Sequence, residues 1–494
     1  MRQIYNPYLP LGVYIPDGEP HLFDGRVYIY GSHDATEAKV YCPGDYNVWS
    51  APAEDLTSWR DEGTSYLRRQ DPTNAGNRMQ LWAPDVTKGP DGRFYLYYCF
   101  PFYPEIGVAV SDSPAGPFDF HGHVRYSDGR TLKEFMPFDP AVLTDEDVRV
   151  YLYYGFCPAE EKEMILPEFT DEMISQMPEE KRDIFRIFRE VHLGENSMVA
   201  ELEPDMLTVK YIPKPLIPGG HHTKGTGFEG HGFFEASSIR KIRGKYYFVY
   251  SSHKSHELCY AVSDKPDEGF RYGGTIISNG DIGYQGQTKP TYTLSNNHGG
   301  ILEVNGEFYI FYHRATAGSE FSRQGCAEKI TIQPDGRINQ VEMTSCGLNP
   351  GPLKAAGLYP AAICCHMTCP ETMDHINYED PINLRITRIV EERNEMFLND
   401  IMDGTVLGYK YFEYKAPDSL LMELRGDFRG EVQISTDAEG TQVLGQMPLQ
   451  IRSDTWCLAE GKLAAWTGQA ALFLRFIGEG RLQFRTFGFN EKRN

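Results

Sequence analysis

Three acidic residues in this sequence could together carry out hydrolysis. Asp17 lies between a proline and a glycine, Asp139 precedes a proline, and Glu235 follows two phenylalanines. Hydrolysis of a glycosidic bond needs a protonated carboxyl group near the leaving oxygen and an ionised carboxylate that activates water or attacks directly. The two groups must differ in pKa, and different surroundings produce that difference. Because acidic residues beside proline usually belong to turns, residue type alone does not assign them a role.

The three acids also share a position relative to a repeated strand. Five segments combine a turn with alternating aromatic and aliphatic residues, a pattern typical of β-strands. They recur every 56 to 67 residues, apart from one spacing of 96, and begin at Gly25, Gly92, Val148, Gly244 and Gly306. Each acid lies eight or nine residues ahead of one of these segments. The inner strands of propeller blades line a central channel, so the three acids are expected to converge there.

These repeats predict an all-β protein. Residues 1–355 are expected to form a five-bladed β-propeller, because repeats of this length with several strands each are typical of propellers. A single β-sandwich with chance internal similarity is the alternative. The repeat stops near residue 355, and alternating strands continue, which predicts a C-terminal β-sandwich over residues 356–494. A charged, Met-rich stretch at about 158–196 predicts a helical insertion, either a rim, a contact between copies of the chain or an inert elaboration.

Composition narrows the partners and the compartment. The formal net charge of −21 disfavours nucleic acid and anionic membranes as binding partners. It does not exclude small neutral molecules as ligands. The N-terminal residues do not resemble a secretory signal, and no apolar run is long enough to span a membrane, so we expect a cytoplasmic protein. The ten cysteines are scattered and are expected to be reduced. The cluster Cys364–Cys369 could bind a metal but is better explained as buried thiols.

Several motifs resemble those of glycoside hydrolase family 43 over roughly residues 1–350. Asn6-Pro7-Tyr8 with Pro16-Asp17-Gly18, Trp82-Ala83-Pro84-Asp85, and Phe138-Asp139-Pro140 are similar to the motifs of its first three blades. Glu235, nine residues before Gly244, matches the spacing of the fourth. The resemblance implies that Asp17 is the general base and Glu235 the general acid. Asp139 would orient the acid and raise its pKa, and Trp82 and Asp85 would contact substrate.

One departure concerns the acid. The family often has Gly-Pro after it, whereas Ala236 and Ser237 follow Glu235 here, and Glu229 is a rival. Two further positions resemble family features. Arg323 is similar to an arginine that contacts sugar hydroxyls, for which a guanidinium offers directional donors. His298 resembles a central histidine that binds an axial calcium ion or a water, which implies a substrate-side or metal-binding role; a hydrogen-bonded core histidine is the alternative.

The resemblance implies an inverting exo-glycoside hydrolase. Its expected substrates are short oligosaccharides from plant polysaccharides, such as those of xylan degradation, and its products terminal β-D-xylose or α-L-arabinofuranose. Two alternative enzyme functions are a β-D-galactofuranosidase and an endo-arabinanase. The alternative without enzymatic activity is a propeller that binds glycans. The carboxylate set favours an enzyme, because a binding propeller has no need of three acids at matching positions. The C-terminal domain resembles a carbohydrate-binding module, which either binds glycan or shapes the active-site mouth.

Overall fold

The computed structural model describes residues 3–36, 38–101, 103–158, 170–177, 182, 193–317, 319–370 and 386–490. In these ranges the protein is almost entirely β-structure, with five successive sheets followed by one large sheet. Each of the first four sheets contains at least four strands, and we number the five sheets as blades 1 to 5. The prediction of an all-β, five-bladed propeller is therefore confirmed.

Blades 1 and 2 are simple four-stranded antiparallel meanders. Blade 1 contains β1 (Glu19–Phe23), β2 (Arg26–Tyr30), β3 (Tyr46–Pro52) and β4 (Arg60–Tyr66). Blade 2 contains β5 (Trp82–Lys88), β6 (Phe94–Cys99), β7 (Ile106–Ser111) and β8 (Asp119–His123). Blade 3 is larger, and its first strand in sequence pairs in parallel with its fifth. It contains β9 (Arg125–Tyr126), β10 (Ala141–Thr144), β11 (Val150–Tyr154), β12 (Asn196–Leu202), β13 (Thr208–Val209) and β14 (Lys214–Pro218).

Blades 4 and 5 complete the ring. Blade 4 contains β15 (Phe233–Ile242), β16 (Lys245–Ser252), β17 (Glu257–Ser263) and β18 (Arg271–Ser278). Blade 5 contains β19 (Ile301–Val304), β20 (Glu307–Ala315) and β21 (Arg323–Ile330). The five repeated aromatic segments form β2, β6, β11, β16 and β20, the second strand along each meander. Their side chains are mostly buried, because both faces of each strand pack against neighbouring blades.

The N-terminal residues close the ring against blade 5. The Tyr8 amide donates to the Gly325 carbonyl at 3.1 Å. The Asn6 side chain acts like a strand residue, because its Nδ2 donates to the Ala327 carbonyl and its Oδ1 accepts from the Ala327 amide, both at 3.0 Å. A backbone bridge between Gly18 and Gly299 also joins the first and last blades. The N-terminus thus provides the outer partner that the three-stranded blade 5 would otherwise lack.

The region after blade 5 is one network of nine paired strands in the described ranges. They are β22 (Leu353–Lys354), β23 (Gly357–Pro360), β24 (His366–Thr368), β25 (Arg388–Glu392), β26 (Glu395–Ile401), β27 (Val406–Lys415), β28 (Ser419–Ser435), β29 (Val443–Lys462) and β30 (Thr467–Asn490). This region packs on blades 4 and 5 through one continuous hydrophobic core. Polar contacts cross the same boundary, since Lys410 Nζ lies 3.2 Å from Asp281 Oδ2. The predicted β-structure of this region is confirmed.

Part of the predicted insertion can be described. The helix α1 (Asp171–Gln176) begins after Thr170, whose hydroxyl accepts a hydrogen bond from the Met173 amide. The run at 179–191 that predicted a longer helix lies outside the described residues, apart from Arg182. In the described ranges no helix is long and apolar enough to cross a membrane.

Candidate active site

A cavity of about 380 Å³ lies where the five blades meet. Each blade contributes a residue within three residues of the start of its inner strand, and these are Asp17, Trp82, Asp139, Glu235 and His298. The three predicted acids therefore line one cavity, together with Arg323. This arrangement follows from the repeat, because equivalent positions in successive blades point toward the same axis.

Irregular backbone aims the acids into this cavity. Asp17 and Asp139 have positive φ angles of 55° and 45°, which are uncommon for residues other than glycine. The pairing of β15 with β16 shifts register on both sides of Glu235, and the next residue, Ala236, has a φ of 66°. Bulges of this kind redirect side chains and are common beside active sites. Such local strain persists where the surrounding structure supports it, often at functional positions.

The environment of Asp17 keeps its carboxylate ionised. Burial by itself raises the pKa of Asp17, but the positive charge of Arg323 lowers it below its ordinary value. Arg323 Nη1 donates to Asp17 Oδ1 at 3.0 Å. The Asp17 amide donates to His313 Nδ1 at 3.2 Å, so this ring carries its proton on Nε2, which donates to the Asn296 carbonyl at 2.8 Å. Burial lowers the pKa of His313 to about 3, which keeps the ring neutral.

Glu235 and Asp139 are held in the opposite protonation state. Burial, reinforced by the charge of Asp17, raises the pKa of Glu235 to about 8. Burial and the charge of Glu235 also raise the pKa of Asp139 well above its ordinary value. The Ala236 amide donates to Asp139 Oδ2 at 3.0 Å, which fixes Asp139 beside the backbone that carries Glu235. The cavity thus holds one ionised carboxylate and a second pair that retains a proton at neutral pH.

Arg323 is positioned by Asp34, a residue that the sequence analysis missed. Arg323 Nε and Nη2 donate to the two carboxylate oxygens of Asp34 at 2.8 and 3.1 Å, and the Arg323 amide donates to Asp34 Oδ2 at 3.0 Å. The Cys42 amide donates to Asp34 Oδ1 at 2.9 Å. Asp34 follows the aromatic strand β2 directly in a short polar run, which was the available signal. Planar fork geometry of this kind fixes a guanidinium in one orientation.

Replacing Asp34 by asparagine is expected to loosen Arg323. The kcat/KM should fall by up to about 100-fold, because small displacements of a positioning group are costly. The acidic limb of the pH profile should move to higher pH, because a displaced guanidinium lowers the pKa of Asp17 less. Asp112→Asn, an exposed change on blade 2, is the matched control. A variant with reduced folding but an unshifted pH profile would show that Asp34 has only a structural role.

One side of the cavity is aromatic. Trp82 packs edge-on against Phe138 with ring centroids 5.6 Å apart, and Phe156 lies 5.3 Å from Phe138 and 5.2 Å from Phe234. The polar lining includes Arg323 in addition to the acids. Aromatic faces pack well against the apolar faces of small ring-shaped ligands. The sequence analysis identified Trp82 but not the wall that it belongs to.

The structure places Asp85, which was predicted to contact substrate, among partners from blades 1 and 3. Asp85 is completely buried and is absent from the described lining of the cavity. Its Oδ1 lies 2.6 Å from His21 Nε2, and its Oδ2 accepts from the Val142 amide at 2.8 Å. Asp85 therefore ties the inner strands of blades 1, 2 and 3 together. The rival acid Glu229 is exposed and accepts from the Gly225 amide, so the geometry favours Glu235.

The surroundings of His298 suit a bound water or a hydrated cation. His298 Nδ1 lies 3.7 Å from Asp139 Oδ2, and Nε2 lies 3.8 Å from Glu19 Oε1. Both His298 Nε2 and Glu19 Oε1 are buried without a hydrogen-bond partner. Buried polar atoms of this kind normally have a partner. Calcium prefers oxygen ligands, so Glu19 and His298 fit a calcium ion only when water completes its coordination.

Comparisons with known proteins identify relatives of this chain. The family model for glycosyl hydrolases family 43 matches residues 23–199. A xylosidase/arabinosidase from Thermoclostridium stercorarium is 43% identical over 499 residues, covering 98% of each chain. A solved family 43 β-xylosidase/α-arabinofuranosidase from a compost microbial metagenome, in complex with xylotriose and in calcium-free form, is 28% identical with a TM-score of 0.50. The match covers 69% of this chain and 98% of that one.

A further solved structure resembles the whole chain. The arabinoxylan arabinofuranohydrolase of Bacillus subtilis matches 99% of this chain and 97% of its own, with a TM-score of 0.50 and 21% identity. At that identity the likeness concerns the fold alone. It extends across both the propeller and the C-terminal strands.

Proposed function

The chain belongs to glycosyl hydrolases family 43, and from this we propose that it is an inverting exo-glycosidase acting on short plant-derived oligosaccharides. It releases a terminal pentose, either β-D-xylose or α-L-arabinofuranose. The observation that carries the proposal is the opposite shift of two pKa values in one cavity. The pKa of Asp17 is lowered and the pKa of Glu235 is raised to about 8, which suits a base and an acid that act together.

The proposed mechanism is a single displacement. Asp17 accepts a proton from a water molecule that attacks the anomeric carbon, and Glu235 donates its proton to the leaving glycosidic oxygen. Asp139 does not exchange the proton; it accepts a hydrogen bond from the Ala236 amide and so fixes the backbone beside Glu235. Burial and the charge of Asp17 raise the pKa of Glu235 and keep it protonated. Arg323 holds Asp17 in its ionised form and offers donors to sugar hydroxyls. The bond to the leaving group breaks as the bond to water forms, so the sugar is released with inverted configuration.

The size of the cavity supports a small substrate. Ligand pockets usually span about 300–1,000 Å³, and a volume of about 380 Å³ is near the lower end. Such a space suits one or two sugar units better than a polymer. The aromatic wall formed by Trp82, Phe138, Phe156 and Phe234 would pack against the apolar face of the terminal sugar.

A panel of para-nitrophenyl glycosides tests the function. We expect release of nitrophenol from the β-D-xyloside, the α-L-arabinofuranoside or both, and little from the β-D-galactofuranoside. Preference for the galactofuranoside would replace the proposed specificity with the alternative one. Binding of xylo-oligosaccharides without turnover of any glycoside would instead support a glycan-binding propeller.

We also propose a division of the chain into two domains near residue 355, with the C-terminal strands forming a β-sandwich. The shared core with blades 4 and 5 supports a role in shaping the propeller rather than an independent binding module. Isothermal titration of xylo-oligosaccharides into a catalytically inactive variant would detect a second glycan site. One site per chain agrees with the shaping role, whereas two sites would support a carbohydrate-binding module.

Calcium is proposed as an axial ion held by Glu19 and His298, with water completing its shell. When bound, it would supply positive charge near the acids and would hold the His298 ring in place. Prolonged chelation is then expected to lower the melting temperature, and added calcium should restore it, because a ligand that binds only the folded state stabilises it. An unchanged melting temperature after complete chelation would indicate that water, and not calcium, lies between Glu19 and His298.

A cytoplasmic location is proposed from the state of the cysteines. None of the ten forms a disulfide in the described ranges, and seven of them are buried. Free thiols in this number suit a reducing compartment. Fractionation of the producing cells should recover the activity with the cytoplasm, and recovery from the culture medium would contradict the assignment.

A further inference from the structure

A group of side chains whose types can coordinate a metal lies in blade 4. His231 precedes the inner strand β15, and Glu257 and Cys259 lie on β17. None of the three belongs to the described lining of the catalytic cavity. His231 Nδ1 lies 2.7 Å from Glu257 Oε1 and 3.7 Å from Cys259 Sγ, and the three ligand atoms all lie within 4.8 Å of one another.

These separations are close to those that a tetrahedral zinc ion requires. With Zn–N and Zn–O distances of about 2.1 Å and a Zn–S distance of about 2.3 Å, ligand atoms lie about 3.3–3.6 Å apart. The His231–Cys259 separation already matches this spacing. The His231–Glu257 separation would need to open by only about 0.6 Å, which a side-chain rotation can provide. Imidazole, carboxylate and thiolate together are a ligand set suited to zinc and similar transition metals.

Outer contacts orient each ligand toward the shared point. The Ser252 hydroxyl donates to Glu257 Oε1 at 2.6 Å, and the Thr275 hydroxyl donates to Glu257 Oε2 at 3.1 Å. The His231 ring stacks on Tyr272 with centroids 4.9 Å apart. Supporting contacts of this kind are typical of metal sites, where they hold the ligands in place. The side chain of His231 is 26% exposed, which gives an ion access from solvent and leaves a fourth position for water.

The neighbouring cation does not block this site. Lys254 Nζ lies 3.5 Å from Glu257 Oε1, but its side chain is 39% exposed and can turn into solvent when an ion binds. The trio Glu19, His21 and Asp85 near the axis differs in this respect. There, Arg240 Nη2 lies 2.7 Å from Glu19 Oε2 with a largely buried side chain, so this cation cannot turn into solvent and only Glu19 Oε1 stays open to an ion.

We propose that His231, Glu257 and Cys259 form a binding site for Zn²⁺ or a chemically similar divalent transition metal, with water as the fourth ligand. The site is mechanically linked to the catalytic cavity. Ser252, which donates to Glu257, pairs with Phe233, two residues before Glu235. The turn from Ser252 to Glu257 also carries His253 and Ser255, which line the cavity. If the proposed glycosidase function holds, occupancy of the site changes KM or kcat.

Cobalt(II) titration of the full-length protein tests the site without relying on activity. The protein is first stripped with a chelator, and Cys457→Ser, which removes a partly exposed thiol far from this site in sequence, provides the reference background. We expect one equivalent of Co²⁺ to produce a thiolate-to-cobalt absorption band, and Zn²⁺ to abolish it by displacement. Cys259→Ser should remove the band and weaken zinc binding by at least about 10-fold.

Two further variants separate binding from folding. Glu257→Gln should keep the thiolate band but weaken the affinity for cobalt, and His231→Gln should do the same, while circular dichroism confirms the fold of each variant. A band of equal intensity in Cys259→Ser, or no band in the reference protein, would overturn the proposal and leave His231 and Glu257 as an ion pair. Neither outcome depends on whether the glycosidase activity is found.

Discussion

Asp17→Asn is expected to lower kcat by about 10²–10⁴-fold on every glycoside that the protein cleaves, which is the usual cost of removing a general base. Asparagine keeps the shape of the side chain and an oxygen for Arg323, whose Nη1 lies 3.0 Å from Asp17 Oδ1. It cannot accept a proton from water. The loss should be as large on substrates with good leaving groups as on natural ones, since activation of water is needed in both cases.

The control for Asp17 is Asp112→Asn, which changes the charge equally at an exposed position on blade 2. The kcat of both variants is measured under steady-state conditions on an aryl glycoside and on a disaccharide. If Asp17→Asn retained more than about a tenth of the wild-type kcat, the effect would be far smaller than loss of a general base produces, and Asp17 would not be the base.

Glu235→Gln is expected to show a loss that depends on the leaving group. On a disaccharide, kcat should fall by about 10²–10⁴-fold, because the departing sugar oxygen needs a proton. On a dinitrophenyl glycoside most of the rate should remain, because that leaving group departs without protonation. Equal losses on both substrates would contradict the role of Glu235 as the acid.

The pH profile gives the same assignment by a second route. The wild-type rate should fall as pH rises through about 8, because Glu235 must be protonated and its pKa is raised to about 8. It should also fall at acidic pH, but only below the ordinary range of an aspartate, since the pKa of Asp17 is lowered. On the dinitrophenyl substrate, Glu235→Gln should lose the basic limb and keep the acidic one.

The sequence was sufficient to predict the propeller and the acids, because both follow from a repeat. Five aromatic strands at regular spacing specify five blades, and Asp17, Asp139 and Glu235 stand at one position in that repeat. Equivalent positions in a closed ring converge on the axis. The geometry brings all three to one cavity.

Other parts of the site depend on contacts that no local pattern encodes. Asp85 lies in the motif beginning at Trp82, but β5 shifts register between these two residues, so Trp82 lines the cavity and Asp85 does not. A sequence pattern does not show such a shift. Asp34 acts through Arg323, which is 289 residues away in the chain. That contact exists only after blades 1 and 5 have closed the ring.

The C-terminal region shows a further limit of sequence reasoning. Its strands are recognisable from alternation, but β28, β29 and β30 are unusually long, and β30 pairs with β26, β27 and β28 at different points along its length. Strand alternation predicts β-structure but not which partner each part of a long strand takes. The packing of this region on blades 4 and 5 likewise depends on apolar side chains spread over the two regions.

The configuration of the first-formed sugar tests the mechanism most directly. Proton NMR during hydrolysis of an aryl β-xyloside, recorded before mutarotation, distinguishes α- from β-xylose. If Asp17 activates water while Glu235 protonates the leaving oxygen, the first product is α-xylose, with inverted configuration. Initial formation of β-xylose would require a covalent intermediate, and would contradict both the single displacement and the roles assigned to the two residues.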